Sequence, residues 1–140
     1  MRSICHFFFV SLCFHRESLQ KRRPMENFHF KATSKIEGHL EDLRGKFVIL
    51  YLYPKDKTPI CKHESLQFKA LHDEFLKLNA CIFGISKDGL KSHESFKEAL
   101  ELPFELISDK GLELSTLFKV RRKSSLLEKW IGTKRSTFLI

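Results

Sequence analysis

The chain has 140 residues, about the size of one domain, and is long enough to bury a hydrophobic core without disulfides or metals. Apolar residues make up 42% and charged residues 30%, so the composition excludes a disordered, collagen-like or coiled-coil chain. The net charge of +8 can draw anionic partners to the surface. There is, however, no basic stripe interleaved with aromatic residues, no zinc-finger spacing and no helix-turn-helix pattern, so we expect no nucleic-acid partner.

The cysteines point to a reducing environment. The chain has four of them, Cys5, Cys13, Cys61 and Cys81, and they form no Cys-x-x-Cys pair. That spacing disfavours a metal knuckle or a disulfide reductase of the Cys-x-x-Cys type. Because the cysteines are too sparse for a disulfide-stapled secreted domain, we expect a cytoplasmic protein. The seven histidines show no metal-ligand spacing either, so we expect no metal and no organic cofactor.

Residues 1–24 differ from the rest of the chain. They carry half of the net positive charge and an apolar run at residues 4–14, which is too short to span a bilayer. The run resembles a signal peptide, but no small-x-small cleavage site follows it. We interpret residues 1–24 as an N-terminal extension outside the fold, with Met25 as the natural start. A targeting or membrane-associating segment, and an ordered part of the fold, are the alternatives.

The first half of the remaining chain predicts a buried strand followed by a helix. Residues 46–53 form a nearly continuous apolar run between Gly45 and Pro54, which is typical of a strand buried on both faces. Thr58 can cap the next helix, whose apolar residues recur at helical spacing up to residue 78. Three shorter pieces precede them: a strand at 28–30, a turn at 34–38 and a helical turn at 40–43.

The second half continues the alternation of strands and helices. The patterns predict a strand at 80–86, a helix at 90–100, a strand at 103–108, a helix at 112–118 and a strand at 136–140. The basic residues 121–123 are expected to be solvated surface charges. This order predicts an α/β fold with a largely parallel core sheet.

The loop before Cys61 is the most informative part of the sequence. Cys61 lies in the first turn of a predicted helix, where unpaired backbone N–H groups and the helix dipole favour a thiolate. Thr58 lies three residues earlier, so its hydroxyl can reach the sulfur or a substrate oxygen. A lone helical cysteine is more often a small buried hydrophobe. Because α/β proteins place their sites in loops between strand and helix, the functional and structural interpretations both stay open here.

Four segments, taken in order, resemble one known family. The segment PKDKTPIC at 54–61 has the Pro-x-x-x-Thr-x-x-Cys spacing of peroxiredoxins. The segments GISKD at 84–88, LPFELISD at 102–109 and GTKRSTFLI at 132–140 resemble the peroxiredoxin Q branch, also called bacterioferritin comigratory protein. The resemblance implies that residues 25–140 form a thioredoxin-like peroxiredoxin domain, with a central mixed sheet flanked by helices.

The resemblance also implies the residues of the site. Cys61 corresponds to the peroxidatic cysteine, whose thiolate attacks the O–O bond and becomes a sulfenic acid. Thr58 would hydrogen-bond the peroxide, and Pro54 would shield the sulfenic acid. Arg135 would hold a positive charge beside the sulfur, and Glu64 would orient that arginine. The alternatives are a solvated strand-end charge for Arg135 and an exposed helix residue for Glu64.

The chain departs from the family in its cysteines. Many members of this branch carry a second cysteine five residues after the first, where this chain has Leu66. We therefore expect a one-cysteine mechanism, in which a hydroperoxide is the substrate and an external thiol is the reductant. Thioredoxin, glutaredoxin and glutathione are the candidate reductants. Cys81 is expected to be a buried small hydrophobe in a core strand.

The end of the chain is a second departure. Peroxiredoxins of this kind usually continue into another strand and a C-terminal helix, so we expect a C-terminally truncated fold that lacks both. An inactive thioredoxin-fold remnant that at most binds partners is therefore one alternative to the enzyme. A membrane-attached protein that uses residues 7–14 is the other. For the enzyme we expect a monomer or a homodimer, with no membrane partner.

Overall fold

The computed structural model describes residues 25–123 and 130–140, so the interpretation of residues 1–24 lies outside the described part. Within these ranges the chain forms eight strands, three α-helices and one 3-10 helix at Leu40–Leu43. In chain order the strands and α-helices are β1 (His29–Lys31), β2 (Glu37–His39), β3 (Phe47–Leu52), α1 (Pro59–Lys77), β4 (Ala80–Ser86), α2 (Leu90–Leu100), β5 (Glu105–Ser108), α3 (Glu113–Leu117), β6 (Arg121–Lys123), β7 (Trp130–Thr133) and β8 (Ser136–Leu139).

A four-stranded mixed sheet forms the centre of the fold. Its strand order is β5-β4-β3-β8, with β3, β4 and β5 parallel and β8 antiparallel to β3. The predicted mixed sheet is therefore confirmed. The register pairs Leu52 with Ser136, so the start of β8 lies beside the carboxyl end of β3. In an α/β sheet this carboxyl edge is where functional loops collect.

Two apolar layers cover the two faces of the sheet. Alternate residues of β3 point to opposite faces, so Tyr51 packs on the side of α1 and α2 while Leu50 packs on the side of α3 and β1. All residues of β3 after Phe47 are buried, as the continuous apolar run predicted. Cys61 itself belongs to the cluster on the α1 side, so the start of α1 is packed directly onto the sheet.

One local prediction was wrong, and one strand was not predicted. The turn predicted over residues 34–38 is shorter, because only Ser34 and Lys35 adopt the left-handed conformation and β2 then begins at Glu37. Strand β6 at Arg121–Lys123, which pairs with β7, was not predicted, although Arg122 is exposed as a surface charge would be. Three consecutive basic residues show no alternation of apolar and polar side chains, so no strand was predicted at that position.

Cys81 is also less buried than expected. It lies near the amino end of β4, opposite Val48, where the neighbouring Phe47 is exposed. Its thiol donates a long hydrogen bond of 3.6 Å to the carbonyl oxygen of Phe47. Burial still raises the pKa of the Cys81 thiol, with a weaker opposing effect from Lys46. The other elements that were predicted agree with the structure to within about two residues, while β7 had no prediction.

No helix among residues 25–123 and 130–140 is both long and apolar enough to cross a membrane. The alternative of membrane attachment through residues 7–14 concerns a segment outside the described part.

A glycine in β4 allows the core to pack closely around it. A Cβ added at Gly84 would lie 2.6 Å from Leu106 Cδ2 and 2.7 Å from the Tyr51 ring. We expect Gly84→Ala to lower the free energy of unfolding by about 1–3 kcal/mol, because overpacking displaces side chains or backbone. Urea unfolding measures this loss. Gly111→Ala is the matched control: its Cβ would meet only Glu113 at 3.5 Å. Equal losses in the two variants would contradict the packing argument.

Candidate active site

Cys61 lies in the first turn of α1, as predicted. Thr58 occupies the N-cap position, Pro59 is the first helical residue, and Lys62 N donates to the Thr58 carbonyl oxygen at 2.9 Å. The N–H groups of Ile60 and Cys61 precede this first intrahelical bond. They give the start of α1 a positive electrostatic character that favours a thiolate.

The Thr58 side chain does not cap the helix. Its hydroxyl donates to the carbonyl oxygen of Lys55 at 3.1 Å and makes no capping hydrogen bond. The expected side-chain cap is therefore wrong, although Thr58 has the predicted N-cap position. Because a hydroxyl also has acceptor lone pairs, Thr58 can still accept a hydrogen bond while it donates to Lys55.

Burial and exposure alternate sharply around the sulfur. Cys61 is only 1% exposed and forms no disulfide within residues 25–123 and 130–140, whereas the preceding Ile60 is 69% exposed. Pro54 is half-buried and directly follows the last buried residues of the β3 segment. Pro54 and Thr58 therefore stand at the two ends of the loop that leads from β3 to the Cys61 turn.

Arg135 and Glu64 meet at the Cys61 sulfur. Arg135 Nη2 lies 3.1 Å from Cys61 Sγ and donates to it, while Nη1 donates to Glu64 Oε2. Cys61 and Glu64 are three residues apart on α1 and so share a face. Arg135 directly precedes β8, whose antiparallel pairing with β3 brings the guanidinium to this position. The structure thus brings three of the five predicted residues into direct contact.

Burial and charge compete within this cluster. Burial raises the pKa of the Glu64 carboxyl, and the nearby Arg135 only partly opposes that effect. Burial also disfavours the charge on Arg135, but Glu64 and the Cys61 sulfur outweigh it and raise the pKa of the guanidinium. Arg135 therefore stays cationic and places a positive charge within hydrogen-bonding distance of the Cys61 sulfur.

A second buried polar group in the same loop was not identified from the sequence. Asp56 accepts hydrogen bonds from Tyr53, Ser92 and His93. Burial disfavours the Asp56 carboxylate, but these donors outweigh it and hold the pKa of the carboxyl below its usual value. Ser92 and His93 lie on α2, more than 30 residues further along the chain, so no local pattern connects them to Asp56.

No three His, Cys, Asp or Glu side chains in the described ranges are grouped so that they could hold a metal ion.

Comparison with known proteins gives consistent matches. Residues 22–140 match the model of the AhpC/TSA family. The chain is 42% identical to peroxiredoxin Bcp of Bacillus subtilis over 102 residues, which cover 72% of this chain and 65% of that protein. It is 39% identical to a putative peroxiredoxin bcp of Helicobacter pylori over 125 residues, which cover 89% of this chain and 82% of that protein.

Solved structures agree with the sequence comparisons. The fold resembles that of the bacterioferritin comigratory protein of Xanthomonas campestris, a protein with alkyl peroxide reduction activity, with a TM-score of 0.76 and 35% sequence identity. The match covers 81% of this chain and 73% of that chain. The predicted thioredoxin-like peroxiredoxin fold is thereby confirmed.

The contact of Arg135 with Glu64 generates a pH-dependent prediction. In Arg135→Met, Glu64 would be a buried carboxyl group with no cation beside it. Burial raises the pKa of Glu64, and without Arg135 this rise should be larger. A raised carboxyl pKa gives stability that is present below the unfolded value of about 4.3 and lost as the pH rises through the folded value. The stability deficit of Arg135→Met should therefore grow with pH, reaching about 1–3 kcal/mol above neutrality.

Urea unfolding of Arg135→Met and wild type across the pH range measures this deficit. The double variant Glu64→Gln/Arg135→Met is the control, because it lacks the titrating carboxyl. Its deficit should not depend on pH in this way. Parallel pH curves for the single and the double variant would show that the Glu64 carboxyl is not the cause.

Proposed function

The chain belongs to the AhpC/TSA family, in its peroxiredoxin Q and Bcp branch, and on this premise we propose that it is a thiol peroxidase that reduces hydroperoxides through Cys61. The observation that carries the proposal is the 3.1 Å hydrogen bond from Arg135 Nη2 to the Cys61 sulfur. Glu64 holds the guanidinium in that position. A solvated arginine at the end of a strand would make neither of these two contacts.

The proposed chemistry begins with the thiolate of Cys61. Its electron pair attacks the terminal peroxide oxygen, an S–O bond forms and the O–O bond breaks. The sulfur is oxidised to a sulfenic acid, and the departing oxygen takes a proton to become an alcohol or water. Arg135 would stabilise the negative charge that develops on the oxygens during this transfer.

Thr58 and Pro54 have proposed roles on the substrate side of the sulfur. The Thr58 hydroxyl would accept a hydrogen bond from the peroxide O–H while it donates to the Lys55 carbonyl oxygen. Pro54 would shield the sulfenic acid from water. The low exposure of Cys61 supports this, because a residue that is only 1% exposed has little contact with bulk solvent.

The proposed reductant is an external thiol. Position 66 is a leucine, and Cys81 pairs with Val48 near the amino end of the parallel strands. Cys81 is thus about four strand residues, roughly 13 Å, from the carboxyl end of β3 that leads to Cys61. A disulfide needs Cα atoms within about 7 Å. We therefore propose that thioredoxin, glutaredoxin or glutathione forms a mixed disulfide with Cys61, with release of water, and that a second thiol then frees it.

The remaining proposals concern substrates and setting. The Xanthomonas protein has alkyl peroxide reduction activity, and for this chain we propose both hydrogen peroxide and organic hydroperoxides as substrates. We propose residues 25–140 as the catalytic domain, a cytoplasmic setting because the cysteines are sparse, and a monomer or homodimer as the assembly.

Peroxide consumption by the full chain tests the proposed activity. With dithiothreitol as reductant, the wild type should consume hydrogen peroxide and Cys61→Ser should not, because serine cannot form the sulfenic acid. Cys81→Ser is the matched control and should keep the wild-type rate. A folded wild type that consumes no peroxide would instead support the inactive remnant.

Trapping the oxidised sulfur tests the one-cysteine mechanism. After one equivalent of peroxide without reductant, mass spectrometry should find dimedone attached to Cys61 and no disulfide between Cys61 and Cys81. The double variant Cys5→Ser/Cys13→Ser should give the same adduct, since neither cysteine has a role in this mechanism. A disulfide between Cys61 and any other cysteine of the same chain would overturn the proposal.

A further inference from the structure

Asp56 is the centre of a buried hydrogen-bond cluster next to the proposed site. Its Oδ2 atom accepts from His93 Nδ1 at 2.7 Å and from Ser92 Oγ at 2.8 Å, and its Oδ1 atom accepts from the Tyr53 hydroxyl at 2.6 Å. His93 is 0% exposed, and its Nε2 atom lies 3.1 Å from the carbonyl oxygen of Ile107. Both ring nitrogens of His93 therefore lie within hydrogen-bonding distance of an oxygen.

The backbone of the same loop is tied to the ends of β4 and β5. Asp56 N donates to Asp88 Oδ2 at 2.8 Å, and the Ser86 hydroxyl donates to the same oxygen at 2.8 Å. The Ser108 hydroxyl donates to the Asp88 carbonyl oxygen at 2.7 Å. Asp56 is therefore held through its side chain by α2 and through its backbone by the carboxyl edge of the sheet.

We propose that Asp56 and His93 form a latch that positions the loop of residues 54–58 for reaction of Cys61 with peroxide. Asp56 lies two residues after Pro54 and two before Thr58, so its position fixes both. Neither latch residue contacts the sulfur in the structure, so both are positioning residues and not catalytic residues. The inference rests on the proposed function, because it assigns these residues a role in the same reaction.

A buried carboxylate such as that of Asp56 is a costly way to hold a loop. Well-packed apolar residues of similar volume often give equal or greater stability. Hydrogen bonds are directional, however, and each one that Asp56 accepts fixes the position of one of its carboxylate oxygens. Lys57, which directly follows Asp56, has a φ of 63°. This left-handed backbone conformation is energetically unfavourable for a residue other than glycine. The latch holds the loop in this otherwise unfavourable conformation.

The test compares two reactions of Cys61 in the full chain. Quenched-flow mass spectrometry gives the rate of sulfenic acid formation with hydrogen peroxide, and iodoacetamide labelling gives the rate of alkylation. In Asp56→Asn we expect the peroxide rate to fall roughly 10- to 100-fold, because Thr58 and Pro54 lose their alignment. Alkylation should become faster than in wild type, because a released loop uncovers a sulfur that is 1% exposed. Loss of the thiolate would slow both reactions.

Glu105→Gln is the matched control. Glu105 is a partly buried carboxylate that accepts hydrogen bonds from Lys97 and Thr33, at the amino end of β5 and away from the loop. The substitution removes the same charge and should leave both rates of Cys61 unchanged. All rates are taken where urea unfolding shows each variant to be folded. Equal effects of the two substitutions would overturn the latch.

His93→Gln and the double variant with Asp56→Asn test whether the two residues act as one unit. His93→Gln should change both rates in the same direction as Asp56→Asn, and the double variant should be no slower with peroxide than Asp56→Asn alone. If the fold-loss in the peroxide rate of the double variant equals the product of the two single losses, the two residues act independently and the shared latch is contradicted. Ser92→Ala is the milder variant if either of these fails to fold, and it should slow the peroxide reaction about 2- to 10-fold by removing one hydrogen bond.

The two proposals fail in different ways. A wild type that does not react with peroxide would refute the proposed function, and the latch would then be decided by alkylation alone. Faster alkylation in Asp56→Asn than in Glu105→Gln would support the latch, and equal rates would overturn it. A wild type that reacts with peroxide, together with an unaffected Asp56→Asn, would refute the latch and leave the proposed function standing.

Discussion

The hydrogen bond between Arg135 and the Cys61 sulfur depends on the pairing of β8 with β3. β8 is the only antiparallel strand of the four-stranded sheet, and its first residue lies beside the last residue of β3. A parallel strand in its place would put Arg135 at the opposite edge of the sheet, far from α1. The mixed topology is therefore a requirement of the site and not only a feature of the fold.

The charges around the sulfur balance one another only as a group. Arg135 and Glu64 are 22% and 14% exposed in their side chains, so each would be costly to bury alone. The Nη1 atom of Arg135 donates to Glu64, so the guanidinium compensates the charge of that carboxylate. The Nη2 atom of the same side chain donates to the Cys61 sulfur. A lysine could not make both contacts with the same planar geometry. The need to donate to both Glu64 and Cys61 therefore explains why this residue is an arginine.

Local patterns predicted the elements of the fold better than the contacts between them. The continuous apolar run of β3, the proline at the start of α1 and the position of Cys61 in its first turn all follow from neighbouring residues. The prediction that Arg135 lies beside Cys61 came from the resemblance to peroxiredoxins, because 74 residues separate the two in the chain and no local pattern connects them. The Asp56 and His93 pair matched no pattern, because its burial arises only when α2 packs against the loop.

Cys61 and Cys81 differ in what surrounds their sulfur atoms as well as in their exposure. Cys81 is the more exposed of the two, yet its sulfur faces a backbone carbonyl oxygen and burial raises the pKa of its thiol. Cys61 is almost fully buried but lies at a helix start and accepts a hydrogen bond from a guanidinium. A thiolate needs donors and positive charge rather than water. Under the proposed function, the low exposure of Cys61 keeps bulk solvent away from the sulfur, while Arg135 stays within hydrogen-bonding distance of it.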